Sequence, residues 1–113
     1  MTTPSVGELQ RRTAALLAPV AHPRVLAAMA LIEETGELAK LLLDHEGYGE
    51  PLDRNKVAGE LGDILVALAE LATRYEVDLE AAWTDKLADL QTRVPRWVEK
   101  LGPALERARN KLD

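Results

Sequence analysis

Glu34, Glu37, Glu60 and Asp63 are the side chains whose types and spacing most clearly invite chemistry. They lie in Ile32-Glu33-Glu34-Thr35-Gly36-Glu37-Leu38-Ala39 and in Gly59-Glu60-Leu61-Gly62-Asp63-Ile64. On a helix turning about 100° per residue, Ala30, Glu34, Glu37 and Leu41 form one stripe, so the two glutamates are neighbours between apolar groups. Glu60 and Asp63 repeat the i,i+3 relation, and Glu60 shares its edge with Val57, Ile64 and Leu71. Each like-charge pair destabilises an isolated helix by about a few tenths of a kcal/mol. Beside an apolar seam the cost rises, because an unpaired buried carboxylate is strongly disfavoured. If the two helices pack, four carboxylates gather at one spot, and a hard divalent cation relieves their repulsion. Oxygen-only ligands suit Mg²⁺ or Mn²⁺ rather than zinc. Solvated acidic helix faces are the alternative that spacing alone leaves open.

The elements that must hold these residues are helices. Ser5-Val6-Gly7-Glu8 has the spacing of a capping box and predicts a first helix to about Ala18, stopped by Pro19. His22-Pro23 opens a second, with Pro23 near the first helical position, and apolar residues recur to Leu43 before the loop Gly47-Tyr48-Gly49-Glu50-Pro51. Asp53 is a good N-cap for a third helix over 54–75. Asp78 caps a fourth that runs to about Thr92, and Pro95 starts a fifth segment interrupted at Gly102-Pro103. The second and third helices, joined by a short loop, form an antiparallel hairpin. The expectation is an all-α bundle of four to five helices in a single domain, 1–113, with a core over 20–97 and a helical tail over 98–113.

Composition agrees. The chain has 113 residues, 47% hydrophobic but only 4% aromatic, a balance that favours helices over strands. A net charge of −5 is a poor footprint for a nucleic-acid binder. Cysteine is absent, which removes disulfides, thiolate metal sites and thiol nucleophiles. No apolar run approaches a membrane span, and no basic segment followed by an apolar one opens the chain. A cytoplasmic protein with neither membrane nor nucleic-acid partner is expected. Broad apolar surfaces such as Leu38/Leu41/Leu42 and Leu61/Leu65/Leu68 are more than so small a chain covers alone, so a homodimer or homotetramer is expected, with helices of both subunits closing each site.

Glu33-Glu34-Thr35-Gly36-Glu37 followed by Glu60-Leu61-Gly62-Asp63 resembles the EExxE…ExxD signature of the MazG-like, all-α nucleoside triphosphate pyrophosphohydrolases. The likeness continues through Tyr75-Glu76-Val77-Asp78-Leu79, Lys86 and Arg93-Val94-Pro95, and His22-Pro23-Arg24 is similar to a segment preceding the first motif in some members. The resemblance implies Mg²⁺-dependent hydrolysis of a nucleoside triphosphate to the monophosphate and pyrophosphate, with Mn²⁺ as a substitute ion. It implies Glu34, Glu37, Glu60 and Asp63 as metal ligands and Glu33 as the group that positions or deprotonates water, or else pairs on the surface near Lys40. Lys86 and Arg93 would neutralise phosphate charge. His22 either caps its helix or touches substrate, and Trp97, like Trp83, either stacks on a base or packs in an interface. His45 belongs to a helix end rather than to the carboxylate cluster.

The chain departs from the family pattern at three positions. Gln91 is the nearest amide to the family's Asn, Val94 replaces the Tyr of Arg-Tyr-Pro, and Ala67 stands where some members place a Tyr. These changes spare the metal positions and fall on the phosphate and base contacts. A helical oligomerisation module that keeps the fold without turnover is therefore the competing reading. A di-iron carboxylate bundle is disfavoured, since neither His22 nor His45 lies three residues after a Glu.

Overall fold

In the computed structural model, which describes residues 2–113, the chain forms α1 (Val6–Leu17), a short 3₁₀ turn (Ala18–Val20), α2 (Arg24–Tyr48), α3 (Arg54–Arg74) and α4 (Leu79–Leu112). The described residues contain no strand, and the protein is all-α as its composition predicts. Two compact units are present, one ending at Leu79 and the other Glu80–Asp113.

In the first unit α3 packs against both α1 and α2. The five-residue link 49–53 turns α2 back along α3, giving the expected antiparallel hairpin. Its register is regular. Ala28 meets Leu68 and Leu71 at one end, Glu37 lies opposite Glu60, and Leu41 faces Val57 towards the loop. The buried apolar residues are small: Ala27, Ala67, Ala69 and Ala72, and in α1 Gly7 and Thr13 are also buried. Alanine seams let helix axes approach closely, but they bury little apolar area each. No large apolar side chain among the described residues is fully buried.

Local signals explain most boundaries. The Ser5 hydroxyl accepts from the Glu8 amide at 3.1 Å, while the Glu8 carboxylate turns to Arg12 at 3.6 Å instead of completing a capping box. The Asp53 carboxylate accepts from the amides of Asn55 and Lys56, the expected N-cap of α3. Between α3 and α4, Glu76 takes a left-handed backbone with φ 57°, and Val77 donates back to the Ala72 carbonyl at 2.8 Å. Gln10 of α1 fastens this corner: its amide nitrogen donates to the Val77 carbonyl at 2.8 Å and its oxygen accepts from the Leu79 amide at 2.9 Å.

Three expectations are corrected. The second helix runs through Gly47 to Tyr48, because it is Gly49, with φ 71°, that takes the left-handed cap. Pro23 is the N-cap of α2 rather than its first residue, and no side-chain cap bond is made there, so His22 does not cap the helix. The separate fifth segment does not exist, since α4 is one helix of 34 residues passing through Pro95 and Pro103. Each proline removes one backbone donor, at about 3 kcal/mol or more in a helix interior. The carbonyls left without that donor belong to Gln91 and Glu99, which are exposed and open to water.

Candidate metal centre

The site grows from the way α2 and α3 pack. On α2 the shielded stripe is Ala27, Leu31, Glu34, Leu38 and Leu41, and on α3 it is Val57, Glu60, Ile64, Ala67 and Leu71. Both stripes have the 3–4 spacing of a helix seam. Glu34 and Glu60 thus occupy positions where an apolar side chain would continue the seam. Glu37 reaches in from the exposed edge. One carboxylate oxygen from each of Glu34, Glu37 and Glu60 lies within 4.8 Å of the other two.

The surroundings penalise the charges. Burial is the main cause that raises the pKa of Glu34 above its ordinary value, followed by the charge of Glu37 and then of Asp63. Glu60 is raised for the same first reason, with Glu37 the next contributor and Glu34 and Asp63 adding to it. A hydrogen bond between Glu60 and Glu37 raises Glu60, while one between Glu60 and Glu34 lowers Glu34. Even so, Oε2 of Glu34 and Oε2 of Glu60 are out of contact with water and have no hydrogen-bond partner. Buried oxygens left without donors are what a cation, or a proton, would satisfy.

Asp63 stands one turn beyond Glu60 on the same face, and its charge is felt by both Glu34 and Glu60. Its oxygens fall outside the tight group of three. Glu33 is exposed and makes no ion pair among the described residues, because Lys40 is taken by Asp44 at 3.2 Å. Of the two alternatives for Glu33, a surface pair with Lys40 is not made. His45 is held at the hairpin loop, its Nδ1 donating to the Glu50 carbonyl at 2.7 Å, and takes no part in the cluster. His22 is exposed ahead of α2.

Lys86, Arg93 and Trp97 stand on α4, in the second unit. Within that helix Arg93 is bound to Asp89 at 3.2 Å, and Trp97 is 42% exposed.

Lys56 was not foreseen. It lies four residues before Glu60 on the same face of α3 and borders a groove of about 360 Å³ with Leu41, Asp44, Asp53 and Val57. Asp44 is neutralised by Lys40 and Asp53 is engaged in capping, whereas the Lys56 ammonium makes no ion pair among the described residues. The signal was present as a cation one turn ahead of Glu60 on the stripe that continues to Asp63.

The match to known proteins covers this region. The family described as MazG nucleotide pyrophosphohydrolase domain matches residues 24–98, which take in α2, α3 and α4 as far as Val98. Gene 37 protein of Mycobacterium phage L5 is 35% identical over 74 residues, 62% of this chain. The chain spans 65% of that relative's length.

Proposed function

The chain belongs to the MazG nucleotide pyrophosphohydrolase domain family, and from that premise we propose that it hydrolyses a nucleoside triphosphate, canonical or modified, to the monophosphate and pyrophosphate with the help of Mg²⁺ or Mn²⁺. The observation that carries the reading is the convergence of Glu34, Glu37 and Glu60 within 4.8 Å, two of them with buried oxygens that nothing satisfies. An all-oxygen donor set of this kind fits a hard divalent ion. Glu34, Glu37 and Glu60 would hold it, and Asp63, outside that group, would add its charge from the next turn. Bound there, the ion supplies charge neutralisation for phosphate oxygens and acidity for a coordinated water.

The rest of the chemistry falls to the chain's own residues. The oxygen of water forms a bond to the α-phosphorus, the bond from that phosphorus to the bridging oxygen breaks, and pyrophosphate leaves with the electron pair. Glu33, exposed and free of Lys40, positions the water and takes its proton. Lys56, and on α4 Lys86 and Arg93, neutralise phosphate charge. Trp97 and His22 are the proposed contacts to the base and sugar. The exposed leucine faces of α2 and α3 point to a homodimer or homotetramer. A cytoplasmic enzyme without nucleic-acid or membrane partner is part of the same proposal, and no single helix among the described residues is long and apolar enough to cross a membrane.

A second reading, an oligomerisation module without turnover, is favoured by the commitment of Arg93 to Asp89. A panel of ribo- and deoxyribonucleoside triphosphates with Mg²⁺ and with Mn²⁺, scored for pyrophosphate, decides between the two. Release from at least one nucleotide, abolished in Glu37→Gln, supports the enzyme, and silence across the panel leaves the module.

A further inference from the structure

Three buried carboxylate oxygens among the described residues have no hydrogen-bond partner, and only two of them belong to the metal centre. The third is Oε1 of Glu70, on α3. Glu70 borders a cavity of about 220 Å³ whose other wall is Ala14, Leu17, Ala18 and Ala21, from α1 and the segment behind it. That wall is apolar. The Thr73 hydroxyl, also on the cavity, accepts from the Gln10 amide at 3.4 Å. Arg74 stands one turn beyond Glu70 at the exposed edge and makes no ion pair among the described residues, so nothing neutralises the Glu70 carboxylate. Water does not reach its Oε1, so a donor carried in on a ligand gains a bond without displacing one.

The cavity lies where a nucleotide bound at the metal centre would send its base. Glu70 follows Asp63 by seven residues, which puts it on the same face of α3, two turns and about 10.5 Å further along the axis. Lys56 lies on the opposite side of Glu60, one turn before it. A nucleotide with its leaving pyrophosphate towards Lys56 therefore runs its sugar and base towards Glu70. Ala21, on the cavity wall, is the residue before His22. An apolar slot with a single unsatisfied acceptor suits a flat base. A carboxylate accepts hydrogen bonds and does not donate them, so it favours an exocyclic amino group, as acidic side chains do at N4 of cytosine. Uracil and hypoxanthine carry an oxo group at the corresponding place, and its lone pairs would face the carboxylate. We propose that Glu70 is a specificity-determining residue that receives the exocyclic amino group of the base, so that nucleotides of cytosine or adenine are preferred over their oxo counterparts. The inference rests on the proposed hydrolysis for the way the phosphates are held.

The test uses the full-length protein with Mg²⁺ and two matched pairs, dCTP against dUTP and dATP against dITP, whose members differ by amino for oxo. For at least one pair the amino member is expected to have a kcat/KM at least about tenfold above its partner. Glu70→Gln keeps the size of the side chain but offers a donor beside its acceptor, and should bring that ratio to within about threefold of unity. A loss of folded protein lowers both members together and leaves the ratio in place, so the ratio reads recognition and not stability. Equal use within both pairs, a preference for the oxo members, or a preference that survives in Glu70→Gln overturns the assignment. If none of the four is hydrolysed, the hydrolysis reading fails separately, and the same comparison is made on Kd with Ca²⁺ in place of Mg²⁺. Tighter binding of an amino member that Glu70→Gln abolishes then supports Glu70 as the selector, and equal Kd values or no binding overturn it.

Discussion

Raised carboxylate pKa values make a signed prediction about pH and metal together. Glu34 and Glu60 both titrate above the ordinary 4.5, so in this window the folded chain holds protons that the unfolded chain has lost. Their contribution to stability is fully present below 4.5 and is lost as pH rises through the raised values. The metal-free protein should therefore lose this contribution on going from pH 4.5 towards neutrality. The perturbation that isolates it is the double variant Glu34→Gln/Glu60→Gln. The two amides do not titrate, and subtracting its melting curve removes the groups that do not interact with Glu34 or Glu60. The measurement is a melting temperature at half-unit pH steps, with and without Mg²⁺ or Mn²⁺. The wild-type-minus-variant difference should fall with pH in the metal-free protein. With saturating ion it should rise with pH, because ion and protons compete for the same oxygens. Glu34 and Glu60 hold protons that the ion must displace, so binding should release protons at the acid end of the window and fewer as the pH rises. An ion at a hundredfold excess over its Kd stabilises by about 2.7 kcal/mol, or roughly 10 °C for a domain of this size. The double variant should show neither the proton release nor the gain. A difference curve that is flat without metal, or a variant stabilised by the ion as much as the wild type, would refute the reading of the cluster as a charge-starved cation site.

Three further outcomes follow from named contacts. Gln10→Ala removes two hydrogen bonds that tie α1 to the corner after α3 and leaves the Val77 carbonyl and Leu79 amide without them. It should cost about 1–3 kcal/mol in chemical denaturation, and a loss below measurement error would show that water replaces the amide. Glu76→Gly relieves a left-handed backbone at φ 57°. Relief of about 1–2 kcal/mol, offset in part by glycine's greater freedom when unfolded, should leave a net gain near ~0.5 kcal/mol in the same measurement. Lys56→Gln should raise the KM for the hydrolysed nucleotide about tenfold or more, with metal affinity unchanged and partial recovery in Lys56→Arg, as expected for a cation that meets phosphate. A change in metal affinity alone would assign Lys56 to the electrostatics of the carboxylates instead.

Much of the candidate site was legible because its signals are local. An i,i+3 acidic pair bracketed by apolar residues can be read within two turns, and the shielded positions of Glu34 and Glu60 are those the periodicity implies. Their convergence depended on register, and the register followed from a loop too short to let the hairpin slip. What escaped reading was of two kinds. Non-local bonds leave no trace in a sequence window: Gln10 reaches Val77 across 67 positions, and nothing in Glu8-Leu9-Gln10-Arg11 marks it. Competing local rules also had to be weighed by context. Gly47 and Gly49 are equally good stop signals, and only the second adopts the left-handed backbone. Pro95 and Pro103 are strong breakers, yet each is outvoted by the helix on either side.

The exposure of the apolar residues bears on how the site works as well as on assembly. A seam of alanines holds α3 against its neighbours, while large side chains such as Leu61, Leu65 and Leu68 remain open to water. Charge on Glu34 and Glu60 is penalised by burial and by their acidic neighbours, and neutralising it relieves that penalty. Protons do so in acid, and a bound ion would do so at neutral pH. Covering the leucine faces by another copy would deepen the burial of Glu34 and Glu60 and raise their pKa values further. Dilution of the metal-free protein at constant pH should then lower the pH at which the cluster ionises, read from the wild-type-minus-variant proton uptake. If that midpoint stays fixed while the oligomer dissociates, the carboxylates take their burial from the α2–α3 hairpin alone.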